Sequence, residues 1–158
     1  MDLYDFYKTI VDGVAQNSEL NIWAASQFGS ALNVYAALPS DGFPDMDDDP
    51  PFVVFGEPTR SCSQNRSTIT YGCGAWMGLS MSGLKSFNPA GTIELAGVEQ
   101  IMDGMRLVRL AVIAVLPDGV LLDEFEEHAD VNAVGAEVHG DMGFVFQQKL
   151  TIGMDPMT

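Results

Sequence analysis

The strictest constraint in the chain is the alternation over Thr68–Met81. Ile69, Tyr71, Cys73, Ala75, Met77, Leu79 and Met81 share one parity, and Thr70, Gly72, Gly74, Trp76, Gly78 and Ser80 share the other. Successive side chains of a strand point to opposite faces, so this period of two predicts one long strand with a single face on a core. The glycines of the outer face allow strong curvature or the close approach of another backbone.

Other segments arrange themselves around that strand. Leu3, Phe6, Tyr7, Ile10 and Val14 recur at spacings of three and four, which predicts an amphipathic helix over Asp2–Val14 with Asp2 and Asp5 at its positive end. A shorter helix is expected over Asn21–Phe28, with Ser18 as cap and Gly29 as stop. Leu32–Leu38 alternates as a half-buried strand. Phe52-Val53-Val54-Phe55 suits a central strand ended by Gly56-Glu57-Pro58, and Thr59–Ser67 reads as polar turn.

Between those two strands, prolines and acids over 39–51 forbid regular structure. Ser82–Gly91 is a second loop. Thr92 can cap a helix running to about Leu116, although β-branched Val112, Ile113 and Val115 also fit a strand. Gly97 and Gly104 weaken that helix, each by about 1 kcal/mol against alanine if exposed. Pro117-Asp118-Gly119 is a turn. Val120–Phe125 reads as a short edge strand, which Glu124, Glu126 and Glu127 protect from pairing with another sheet. Val131–Gly143 fits neither period, and Phe144–Ile152 alternates again, with Gln148 interrupting its apolar parity. These elements predict an α+β domain over 1–153, followed by a flexible tail over 154–158. The domain is a largely antiparallel sheet of about four to five strands with two main helices on one face.

Composition bears on partners. Seven Lys+Arg against 22 Asp+Glu give a net charge of -15. Such a surface repels phosphate at long range, which argues against sequence-independent nucleic-acid binding and against docking on anionic membranes. Charge of this sign serves solubility, and it equally suits a surface past which DNA must slide without being held. The acidic N-terminus is followed by no apolar signal region, and the most apolar stretch, Leu107–Leu116, is far shorter than the ~20 residues needed to cross a bilayer. A soluble protein made in a cytosol is expected. In that compartment Cys62 and Cys73 remain thiols, although a hairpin would let them face each other.

Reactive constellations are sparse. His128 and His139 are eleven apart, as are the two cysteines, and neither spacing is that of a zinc site. No serine stands in a Gly-x-Ser-x-Gly elbow, and no glycine loop with a following lysine cradles phosphate. No cofactor, metal or catalytic residue is assigned. Asp45, Asp47, Asp48 and Asp49 crowd one loop without the spacing of a calcium loop, so the cluster reads as a solvated loop or as one facing a lumen or partner. Trp76 alternates outward, where it is either covered by a loop of its own chain or anchors a subunit interface.

The succession Leu3–Val14, Asn33–Leu38, the proline-bearing Asp49-Pro50-Pro51-Phe52-Val53-Val54-Phe55-Gly56-Glu57 run, Thr68–Met81, Thr92–Leu110 and Phe144–Ile152 resembles the tail-terminator, or tail-completion, proteins of long-tailed phages. That resemblance implies a virion protein assembled in the host cytoplasm as a homo-oligomeric ring, a hexamer. The ring caps the tail tube, stops polymerisation of the major tail protein and meets the head-side connector, while DNA passes through the lumen unbound. Acids of the Asp45–Asp49 loop or of Glu124–Glu127 would line the lumen or a mating face. The alternatives are a neck or head-completion protein of the same particle, and a small cytosolic ligand-binding or enzymatic domain.

Overall fold

The computed structural model describes residues 1–36, 44, 51–64, 67–80, 85–87, 93–95, 97–131 and 137–150. The Asp45–Asp49 cluster and the 154–158 tail lie outside them.

The fold is α+β, and the described residues form three helices and a five-stranded mixed sheet beside a two-stranded pair. Helix α1 (Leu3–Ala15) is capped by Asp2, whose carboxylate accepts from the Asp5 N–H at 2.8 Å. Helix α2 (Ser18–Phe28) starts one residue earlier than a Ser18 cap would allow. Asn17 is the cap, accepting from the Leu20 N–H at 2.9 Å, and Gly29 closes the helix in the left-handed conformation (φ 78°).

The strands are β1 (Asn33–Ala36), β2 (Phe52–Cys62), β3 (Thr68–Ser80), β4 (Lys85–Phe87), β5 (Ile93–Leu95), β6 (Val120–Val131) and β7 (Glu137–Lys149), with helix α3 (Val98–Ala114) between β5 and β6. The main sheet has the order β1-β2-β3-β7-β6, and β4 and β5 form a separate antiparallel pair. Only β1 runs parallel to its neighbour; the other three pairings are antiparallel.

Besides the cap of α2, four expectations are corrected. Gly56-Glu57-Pro58 does not end β2. Glu57 and Pro58 stand together against the single Cys73, between the pairs Gly56–Gly74 and Thr59–Gly72, and the strand continues to Cys62. This is a β-bulge, where a proline without an N–H is tolerated. The second correction is that β6 is twelve residues long and not a short strand, and Val131–Gly143 holds its end and the first half of β7. Helix α3, thirdly, begins at Val98 behind Gly97 (φ 94°) and not at Thr92, and its Val112 and Ile113 stay helical because Val112 is fully buried in the core beside Val108 and Ala111. Finally, Cys62 pairs with Ile69 and Cys73 with Phe144, so the two thiols do not face each other.

The helices pack on the face carrying Ile69, Tyr71, Cys73, Ala75, Met77 and Leu79. Phe6 of α1 stacks on Tyr71 (centroids 4.2 Å apart) and meets the Phe146 ring edge-on at 5.2 Å. Tyr7 reaches from α1 to β2, its hydroxyl donating to the Phe55 carbonyl at 2.6 Å. Gln148 is accommodated on the same face as an acceptor 3.4 Å from the Tyr71 hydroxyl. The main core thus lies between helices and sheet, while on the opposite face Phe52, Val54 and Gly78 are buried and Glu124, Glu126 and Asp141 are exposed.

Candidate interaction face

Because side chains alternate, the register of four strands fixes what the outer face presents. Gly56, Gly74 and Gly143 stand directly opposite one another on β2, β3 and β7, and the row ends at Glu126 on β6. The next row runs Thr59, Gly72, Val145, Glu124. On the other side come Val54, Trp76, Asp141 and His128. A bare glycine band therefore crosses the middle of the sheet, with an aromatic and aliphatic group beside it and carboxylates around it.

The glycines of the row are not demanded by the chain's own packing. A Cβ on Gly56 would meet nothing within 4 Å, and one on Gly74 or Gly143 would find only ordinary contacts at 3.9 Å or beyond. Gly72 differs, since the Thr59 hydroxyl lies 2.7 Å from where its Cβ would stand. The hollow over Gly72 and Gly74 is about 330 Å³, walled by Glu57, Glu124 and Glu126. It adjoins a second, of about 260 Å³, between Val54, Trp76 and Asp141. Both are open and shallow, unlike the enclosing pockets that bury small ligands.

Local backbone geometry places the carboxylates. Glu57 is the only described non-glycine residue with positive φ (53°), and the bulge that holds it there turns it over the glycine band. A second bulge lies between Leu122 and Glu124 on β6, and Asp123 within it accepts from the Gln147 side-chain amide at 2.6 Å. Beyond that bulge the parity of β6 sets Glu124 and Glu126 on the outer face. Glu127, opposite Met142, has the parity of Phe125 and turns to the helix side, where it is exposed.

Trp76 lies between Phe52 and His139. Its ring is 5.3 Å from Phe52 and stacks on His139 at 4.8 Å with 24° between planes, leaving it half-buried. Phe52 and Val54 are buried on this outer side, apart from the main core. His139 and Cys73 thus belong to opposite faces. Among the described residues no three His, Cys, Asp or Glu side chains gather closely enough to hold a metal ion. Burial pushes the Cys73 thiol up from the ordinary 9.0 to about 12, which leaves it protonated and inert as a nucleophile at neutral pH.

Of the residues singled out in the sequence, Trp76, Glu124 and Glu126 are brought to one face, Glu127 is not, and the Asp45–Asp49 carboxylates fall outside the described residues. Glu57 and Asp141 were missed. Glu57 was hidden in a tripeptide with strong turn character, whereas the alternation Val138, Gly140, Met142, Phe144, Phe146 would have placed Asp141 and Gly143 on the outer face had the period been followed backwards from Phe144. No protein-family model matches the sequence, and no curated protein matches it significantly. Among the described residues no helix is long and apolar enough to cross a membrane.

Proposed function

We propose that the chain is a structural subunit of a virus particle, of the tail-terminator kind, whose work is done by contact surfaces and not by a reaction. Copies close into a ring, in the first instance a hexamer, that caps the tail tube, halts addition of the major tail protein and presents its other side to the head-side connector. The net charge of -15 lets DNA pass the ring without being held.

One observation carries this reading. The outer face of the sheet combines an open glycine row, a half-buried tryptophan and a rim of carboxylates, and beside it β6, paired with β7 on one side, is the last strand of the sheet among the described residues. A protein surface can lie flat on such a face, and aromatic anchors ringed by polar groups are how protein contacts are commonly built. The succession of segments read from the sequence also resembles that of the tail-terminator proteins.

The test is deletion of the gene in its source particle, followed by electron microscopy. The reading expects filled heads without tails beside free tails of uncontrolled length, with normal joining restored by the gene in trans. Particles of normal morphology after deletion would refute it.

A further inference from the structure

A second surface lies on the far side of the molecule. Helix α3 buries Ile101, Gly104, Met105, Val108, Ala111 and Val112, and its opposite side carries Met102, Arg106, Arg109, Leu110 and Ile113. Spacings of three and four place these five on one side of the helix. Met102 (45% exposed), Leu110 (43%) and Ile113 (43%) are large apolar side chains left in water at intervals that form a stripe. The two arginines sit within that stripe. Arg106 holds a 3.4 Å contact to Asp103 with both side chains about half exposed, and the Arg109 guanidinium lies 5.1 Å from the Phe125 ring.

The two surfaces match in extent, and each has groups that the other can pair with. One offers Arg106 and Arg109 among aliphatic groups, with Asp103 beside Arg106 and Glu99 a turn before Met102; the other offers Glu57, Glu124, Glu126 and Asp141 around Trp76 and Val145. From Met102 to Ile113 the helix rises by about 16 Å. From Glu57 on β2 to Glu126 on β6 the sheet spans three strand spacings, about 14 Å. The open Cβ positions at Gly56, Gly74 and Gly143 remove the side chains that would hold a helix away.

We infer that the α3 stripe of one copy docks on the glycine-and-acid face of the next. The occupant is a second copy of this chain, and the pairs formed are Arg106 and Arg109 with Glu57, Glu124, Glu126 and Asp141. The contact is heterologous: each copy gives one surface and receives the other. Such contacts close into rings when the rotation between copies allows, and extend into filaments otherwise. The inference builds on the proposed ring and specifies its mating surfaces. Net repulsion between copies opposes the contact at low ionic strength; at 0.15 M salt, with a Debye length of about 8 Å, distant charges are screened more than pairs in contact.

The experiment is sedimentation velocity of the full chain at 0.15 M salt, from micromolar to millimolar concentration. Its subjects are the wild type, the R106E/R109E variant, the E124R/E126R variant and an equimolar mixture of the two. Arg106, Glu124 and Glu126 are exposed and Arg109 is half-buried against Phe125, so circular dichroism with thermal melting checks that each variant is folded, and R106E alone serves in place of the double variant if R106E/R109E is not. The wild type is expected to associate, each variant alone to associate at least tenfold more weakly, and the mixture to recover association. Recovery follows because a native face of each variant meets the native face of the other and the reversed faces also match. A wild type that stays monomeric at every concentration, or variants that associate as the wild type does, would overturn the inference. Gene deletion separately reports on the tail-terminator reading: a tail defect on deletion together with indifferent charge reversals leaves that reading standing and removes only these mating surfaces.

Discussion

Glu57 holds a backbone conformation that side chains with a Cβ avoid, at a cost of about 1–2 kcal/mol. The side chain is exposed, and its carboxylate lines the hollow over the glycine band. Glu57→Gly is therefore expected to raise stability by about 0.5–1 kcal/mol, the relief of strain less the extra freedom of the unfolded chain, while weakening self-association. Urea unfolding checks the first part, and an unchanged or lower midpoint would show that Glu57 is not strained. Cys73 gives a second residue-scale prediction. Its thiol ionises at about 12 in the folded chain and at the ordinary 9.0 once exposed, so the unfolded state holds fewer protons between those values. The Cys73 contribution to stability should accordingly be level below pH 9 and fall by about 1.4 kcal/mol per pH unit between 9 and about 12, and Cys73→Ala should remove that part of the slope. In native protein Ellman's reagent should label exposed Cys62 promptly and Cys73 only on unfolding; two prompt thiols would contradict the burial of Cys73.

At the scale of elements, the glycines of α3 separate propensity from packing. In isolation Gly104 weakens a helix, and alanine there would be expected to add about 1 kcal/mol. In the fold its missing Cβ accommodates Met77 Cε at 2.6 Å and Trp23 Cη2 at 2.7 Å, where β3, α2 and α3 meet. Gly104→Ala should destabilise by about 1–3 kcal/mol, the range of overpacking in a filled core, and a rise in melting temperature would show that the interface is loose. Tyr7→Phe should cost about 1–3 kcal/mol, because it leaves the Phe55 carbonyl without the hydroxyl that bridges α1 and β2. Much of this level is legible in the sequence, because Phe6, Ile10 and Val14 and the run from Ile69 to Leu79 repeat with the period of the elements they form. The bulges were not. Gly56-Glu57-Pro58 has the local chemistry of a turn, and only pairing with β3, distant in sequence, makes it an interruption within a strand. The first half of β7 was obscured in the same way, since Gly140 and Gly143 dilute an alternation that Val138 and Met142 maintain. Of the candidate face, the outward parity of Trp76 and the acids of β6 could be read directly. The alignment of Gly56, Gly74 and Gly143 could not, because it exists only once three strands are in register.

For the whole molecule, the division of labour between the two sheet faces is the main result. One face is spent on the helices and supplies the core. The other carries open glycines, carboxylates and Trp76, and it has a counterpart in the arginine-bearing stripe of α3 on the far side of the same chain. A molecule with matching surfaces on opposite sides is organised to add copies in one direction of travel, and a ring is the closed outcome of that addition. The most direct measurement is intermolecular photo-crosslinking from a benzophenone side chain placed at position 110, where Leu110 already stands exposed on α3, with the linked peptides identified by mass spectrometry. The account predicts adducts between position 110 of one copy and the Phe52–Cys62, Thr68–Ser80 or Glu137–Lys149 strands of another; a chain that gives only unlinked monomer at concentrations up to the millimolar range would contradict it.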